Sequence, residues 1–221
     1  MLTAKLILER LDKEGRLLER KEQQSRSFTL GFLQLLYVAH AQIQSGAPYT
    51  INDITDTPRT VDNQGSIGAR LGKSNLMIGA APGHSGVFCG GKNEFDPSVM
   101  TIEGQKIGIQ VGTGVVAVTP TDIALATRIA HGRSAGELEY GGCELIGIAF
   151  SDPDGEFTIR RYFTNASGGP ITVEEVGIYS PGGDYDAPAI WAFLIARDLT
   201  GGVVVADTEI LKVTYVPQIT V

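Results

Sequence analysis

Cysteine, tryptophan, histidine and charge are all scarce in this chain of 221 residues. It holds two cysteines, one tryptophan and three histidines, and charged residues make up 19% of it. Two cysteines cannot build a disulfide scaffold. Cys89 and Cys143 are 54 positions apart with no C-x-x-C spacing, which fits two buried thiols and leaves pairing open. The longest apolar runs, such as residues 190–196, fall far short of the ~20 residues of a membrane helix. The first residues are charged from Lys5 onward and carry no signal-peptide profile, so no membrane or secretory role is expected. Basic residues are in the minority: 18 against 25 acidic ones, a formal net charge of −7. Residues 1–30 hold seven basic and five acidic side chains, a local +2, so the remainder carries −9. Such a body repels phosphate backbones, which excludes nucleic acid as the expected partner.

What the chain has in excess is glycine, 28 residues, with no collagen period. Many turns between short elements are implied. With 43% apolar residues, a packed core is within reach. The expected fold class is mainly β: an antiparallel β-sandwich with an N-terminal β-hairpin, one α-helix and a long loop-rich insertion. Residues 4–9 and 17–23 flank Asp12-Lys13-Glu14-Gly15 and read as the hairpin, although Leu2, Leu6, Leu8 and Leu11 also fit a helix. Ser25-Arg26-Ser27 has the composition of an N-cap. From 28 to 44, Phe28, Phe32, Leu35, Leu36, Ala39 and Ile43 recur at helical spacing.

Three segments follow: 1–45 for hairpin and helix, 46–106 for a loop-rich elaboration, and 107–221 for the sandwich. The three form one continuous unit. The middle segment supports only short extended runs, at 49–54 and 76–78, and its length marks a contact region rather than a linker. Strands are expected at 107–111, 145–151, 156–165, 171–179, 190–197, 203–205 and 209–216, with Gly, Pro and Asp between them.

No chemical motif outweighs its plain structural reading. Gly68 to Gly72-Lys73-Ser74 is one residue too short for a phosphate-binding loop and follows no hydrophobic strand. Gly83-His84-Ser85-Gly86 lacks the second glycine of a hydrolase elbow, since Val87 stands in its place. His40, His84 and His131 are isolated from further metal-ligand types at ligand spacing. Asp152, Asp154 and Glu156 form a turn rather than a calcium loop, which needs a longer frame. Asn165-Ala166-Ser167 matches a glycosylation triplet that is expected to be empty. Glu174 and Glu175 point to opposite faces of a strand, so an ion pair of one of them with Arg160 or Arg161 is expected, not an acid–base couple. Val173 and Val176 differ in parity, which predicts a β-bulge at Glu174-Glu175 that returns both to the core and leaves one glutamate in the extra position. No catalytic, cofactor-binding or metal-binding residues are assigned, no cofactor or small-molecule substrate is expected, and the chain reads as a non-enzyme.

One run is more specific. Residues 160–179 contain Arg161-Tyr162-Phe163-Thr164-Asn165, a Ser/Gly turn and Ile171-Thr172-Val173-Glu174-Glu175-Val176-Gly177-Ile178-Tyr179. This resembles structural proteins of tailed bacteriophages, in which "R-x-F-T-N" leads into "I-T-V-x-E-x-G-I/L-Y". Phe193-Leu194-Ile195-Ala196-Arg197-Asp198 is similar to their "L-x-x-R-D" run, and Leu211-Lys212-Val213-Thr214-Tyr215 follows. Upstream, Gly112-Thr113-Gly114, Thr119-Pro120-Thr121-Asp122 and Leu125 resemble "G-x-G…T-P-x-D-x-x-L". Ser25-Arg26-Ser27-Phe28 and Phe32 resemble "S-R-S-F-x-x-x-F". The resemblance covers about half of the chain. It implies a virion component assembled in the host bacterial cytoplasm, in many copies that contact one another and other virion proteins: a tail, neck or collar protein, or alternatively a capsid decoration protein. A carbohydrate- or receptor-binding module is the alternative from another class. Against that alternative, Trp191 stands in an apolar run and reads as core.

Overall fold

The computed structural model describes residues 2–25, 27–41, 49–61, 107–151, 154–183 and 190–220. The fold is mainly β with antiparallel sheets, as the patterning implies. Strands β1 (Leu2–Leu11) and β2 (Leu17–Ser25) form the hairpin, and α1 (Leu30–Ala41) follows. After it come β3 (Tyr49–Asn52), β4 (Pro58–Val61), β5 (Gly108–Gly112), β6 (Glu139–Ser151), β7 (Asp154–Thr164), β8 (Ile171–Gly183), β9 (Ile190–Val205) and β10 (Ile210–Thr220). One sheet has the order β2-β1-β10-β7-β6, a second β5-β8-β9, and a third pairs β3 with β4. The hairpin is thus stitched into the main sheet through β1 and β10, in register from Leu2↔Ile219 to Leu11↔Ile210.

Alternation explains which residues face inward. Ala4, Leu6 and Leu8 of β1, Ile159 and Phe163 of β7, and Leu211, Val213 and Tyr215 of β10 are buried. They join Ile109, Val111, Val173, Val176, Ile178, Phe193 and Ile195 from the three-stranded sheet in one core. Both sheets therefore feed a single apolar layer, the arrangement of a sandwich-like fold. At the corner between them, β2 meets β9 through side chains. Gln23 Nε2 donates to Leu199 O at 2.8 Å, Lys21 Nζ to Thr200 O, and Ser25 Oγ to Asp198 at 2.7 Å. The carbonyls of Leu199 and Thr200 are thus satisfied without a further strand.

Three expectations need correction. The helix starts at Leu30 rather than Phe28. Phe28 bridges Ala196 in extended form, and Ser25 ends β2, its hydroxyl engaged by Asp198, so Ser25-Arg26-Ser27 is not the N-cap. Strand β4 is absent from the expected set, yet Pro58 opens a strand paired with β3. The runs 190–197 and 203–205 are one strand, β9, bent by the positive φ of Gly201 (67°) and Gly202 (80°).

An irregularity is present at Glu174-Glu175 as expected, but the extra residues are on the partner strand and not a glutamate of β8. Pairing of β8 with β9 steps from Val173↔Val203 to Glu175↔Leu199, leaving Glu174 outside the register. The surplus lies in β9, which spends four positions where β8 spends two. Thr200 closes the step: its Oγ1 donates to Val173 O at 2.6 Å and accepts from Gly202 N at 3.1 Å. Ile171, Val173, Val176 and Ile178 all reach the core, although strict alternation would divide them.

Candidate functional site

The phosphate-loop pattern at Gly68 to Ser74, Cys89 and the His84–Ser85 pair lie outside the described residues. His40 is in the last turn of α1, far in sequence from any other candidate. His131 is placed: its Nδ1 accepts from Tyr140 N at 2.9 Å, and its ring meets Tyr140 edge-on at 5.9 Å. Burial, then the Arg161 charge, hold its pKa below 6.5. A neutral imidazole that accepts at Nδ1 carries its proton on Nε2. It pins the start of β6. Cys143 is buried in the core. Asn165 is also buried, and its Nδ2 donates to Gly169 O and Val205 O, each at 2.8 Å, so the triplet serves a turn. Among the described residues no group of three His, Cys, Asp or Glu side chains could hold a metal ion.

The densest polar assembly is elsewhere. Residues 113–127 form no regular element, yet their turns are fixed from below by Glu175 of β8 and Arg197 of β9. Glu175 Oε1 accepts from Gly114 N (3.2 Å) and Thr127 N (2.8 Å). Its Oε2 accepts from Ala126 N (3.1 Å) and from Arg197 Nε (2.8 Å). The Arg197 guanidinium continues outward, donating to Asp122 Oδ2 at 2.7 Å and to Val116 O at 2.9 Å. Asp122 in turn takes Thr119 N (3.0 Å) and Thr119 Oγ1 (2.7 Å). Burial pushes the Asp122 carboxyl up, but the bonds from Thr119 and Arg197 outweigh it and leave the pKa below 3.8.

The glutamate and arginine side chains are buried to 0% and 2% exposure. A buried pair needs its polar groups engaged, and here both Glu175 oxygens accept two bonds each while all three Arg197 nitrogens donate. Gly112 and Gly114 are required by the approach of the loop, since a Cβ on either would sit 2.5 Å from Glu175 Oε1. Leu125 N donates to the Tyr179 hydroxyl at 2.8 Å, and burial pushes the Tyr179 pKa up to about 12. Gly177 leaves room for Leu125, whose Cδ2 would lie 2.9 Å from a Cβ there.

The expected glutamate–arginine pair therefore exists, with a different arginine. Arg160 Nε instead binds Glu144 at 2.8 Å. Arg161 is buried against Tyr140 and Phe163 and donates to Gly141 O, Ile107 O and Ile109 O. The sequence does carry a signal for Arg197: it and Asp198 are the only charges in β9. A charge within an apolar strand demands a counter-charge, but nothing local says that Asp122 and Glu175 supply it. Asp198 is also buried, accepting at Oδ2 from Ser25 Oγ and from Tyr215 OH, both at 2.7 Å. Burial, then Asp198, raise the Tyr215 pKa well above 10.0.

This frame exposes apolar surface. Val115 and Val116 are 68% and 64% exposed above the buried pair. Further along the same loop, a cleft of about 290 Å³ lies between residues 121–123, α1 and β3, lined by Leu30, Gln34, Thr50, Asn52, Thr121 and Phe193, among others. The half-buried Trp191 ring packs on the core and carries the Arg59 guanidinium 5.2 Å from its centroid. No family model, curated protein or solved structure matches the chain.

Proposed function

We propose that this chain is a non-enzymatic structural component of a tailed-bacteriophage particle, assembling in multiple copies as a tail, neck or collar protein. One observation carries the reading. The residues on which the resemblance rests are scattered from 25 to 215 in sequence, yet in space they form connected buried frames. Gly112, Gly114, Asp122, Glu175 and Arg197 belong to one, linked through Leu125 to Tyr179. Ser25, Asp198 and Tyr215 form the neighbouring one. These frames hold backbone in place and present exposed valines, which suits a part that works by contact rather than by turnover.

The test has two arms. Size-exclusion chromatography with light scattering on the purified chain should give a defined homo-oligomer. Mass spectrometry of phage particles encoding it should find it in multiple copies. A chain that is monomeric at every concentration and absent from particles would refute the reading.

A further inference from the structure

Helix α1 carries no Asp, Glu, Lys or Arg in its twelve residues, Leu-Gly-Phe-Leu-Gln-Leu-Leu-Tyr-Val-Ala-His-Ala. A helix that is apolar all round is normally buried all round. This one is not. Leu35 and Val38 are fully buried, whereas Leu30, Leu33 and Tyr37, at positions i, i+3 and i+7, are 47%, 58% and 54% exposed. The stripe adjoins the frame-mounted loop: Leu30 N donates to Pro120 O at 2.7 Å, and helix and loop share the walls of the cleft. Residues 113–121 hold no charged side chain either, and the Asp122 carboxylate that lines the cleft is neutralised by Arg197 at 2.7 Å.

We infer that the outer stripe of α1 and the valine ridge at 115–118 form one docking surface whose occupant is a second copy of this chain. The inference rests on the multi-copy reading above and names the surface through which copies meet. Charge selects the occupant. At a net charge of −7, two copies repel one another at most approaches, with a screening length of about 8 Å at physiological salt. Contact is permitted where neither face carries charge. An acidic or basic partner gains nothing from an uncharged face, whereas an equally uncharged face fits it, and a two-fold contact supplies one by placing the same patch on both sides. Several other exposed apolar side chains among the described residues do not meet this condition. Leu17 and Leu18 stand between Arg16 and Glu19. Phe150 and Ile219 flank Gly155 on a rung next to Glu156. Preorganisation favours the ridge as well, because the Arg197 bond to Val116 O holds it before any partner arrives.

Sedimentation velocity over a wide concentration range on the full chain and on L33E, V116E and F150E tests this, with circular dichroism to confirm that each variant is folded. All three positions are exposed, so the fold should survive. L33E and V116E should weaken self-association by about tenfold or more, and F150E should leave it unchanged. If the wild type associates but L33E and V116E associate equally well, the surface is wrong while the multi-copy reading stands. If cross-linking in assembled particles attaches position 33 to a different protein, the second copy is the wrong occupant, again without touching that reading. A wild type that stays monomeric throughout overturns the inference directly.

Discussion

The N-terminal hairpin and the β8–β9 pair both bear ion pairs, and the two sets do different jobs. On the hairpin, Arg20 reaches Glu9 and Glu22 at 3.3 and 3.1 Å, Lys5 reaches Glu22 at 3.5 Å, and Arg10 reaches Glu19 at 3.3 Å. Most of these groups are a quarter to a half exposed, and water competes for every one of them. Between β8 and β9, Glu175 and Arg197 are sealed from water, and each holds backbone groups of a loop from which β8 is some 50 positions away. Similar distances thus hide unlike energetics. An exposed pair adds little, because solvation and entropy offset the attraction. A buried pair adds little as a pair, but removing one partner strands the other.

The sharpest way to break this contrast is to replace Glu175. Glu175→Gln keeps the shape but leaves the buried Arg197 with half of its counter-charge gone and replaces an acceptor oxygen by an NH₂ facing N–H donors. A loss of about 3–5 kcal/mol is expected in urea unfolding. A loss of less than ~1 kcal/mol would mean that water enters the frame and that the pair behaves like the hairpin's. Val173→Ala comes next. Val173 is fully buried beside the β8–β9 step, and the cavity should cost ~1–3 kcal/mol, read by the same unfolding curves.

The sequence makes these two sites legible to different degrees. Val173 is visible because alternation is local: the parity change between Val173 and Val176 can be read within four residues, and the step in pairing falls there. That β9 supplies the surplus at Thr200-Gly201-Gly202 is not visible, because a bulge can sit on either partner of a ladder. The Glu175 frame is less legible still. Its members come from 48 to 61 positions upstream on the loop and 22 positions downstream on β9, and no spacing rule links such distances. The start of the helix is hidden for the same reason: Ser25-Arg26-Ser27 has the right local chemistry for a cap, but Asp198, 173 residues away, takes the Ser25 hydroxyl. Strands, turns and the hairpin follow local periodicity, and the frames that join them follow topology.

His131 tests the middle of the range, a half-buried group whose charge state matters. Its pKa is depressed in the fold below the ordinary 6.5, by burial first and by Arg161 second. The folded protein therefore favours the neutral ring. The stability this provides is complete above about pH 6.5 and is lost as the pH falls through the lower folded value, where the unfolded chain binds the proton more readily. Protonating Nδ1 would also remove the acceptor for Tyr140 N. Stability should thus decline on mild acidification, and His131→Gln should flatten that decline below about pH 6.5. An unchanged slope would show that another group dominates in this window.

The smallest effect belongs to the hairpin turn. Arg16 reaches Asp12 at 2.7 Å and Glu14 at 3.1 Å, the best geometry of any exposed arginine there, yet its side chain is 75% exposed. The Asp12 carboxyl is held below its ordinary value chiefly by the backbone N–H of Arg16, ahead of the guanidinium. Two of its bonds are to backbone: Oδ1 accepts from Glu14 N at 3.0 Å and from Arg16 N at 2.8 Å. Arg16→Ala keeps both of these, and Gly15 keeps its φ of 82°, so the turn should persist with no resolvable shift in the denaturation midpoint at moderate salt. Asp12→Ala removes the acceptor for both N–H groups and should lower the midpoint measurably. If Arg16→Ala proved the more damaging change, the charge pair rather than the aspartate's grip on the backbone would be setting the turn, and the division between exposed pairs and buried frames would fail at its simplest point.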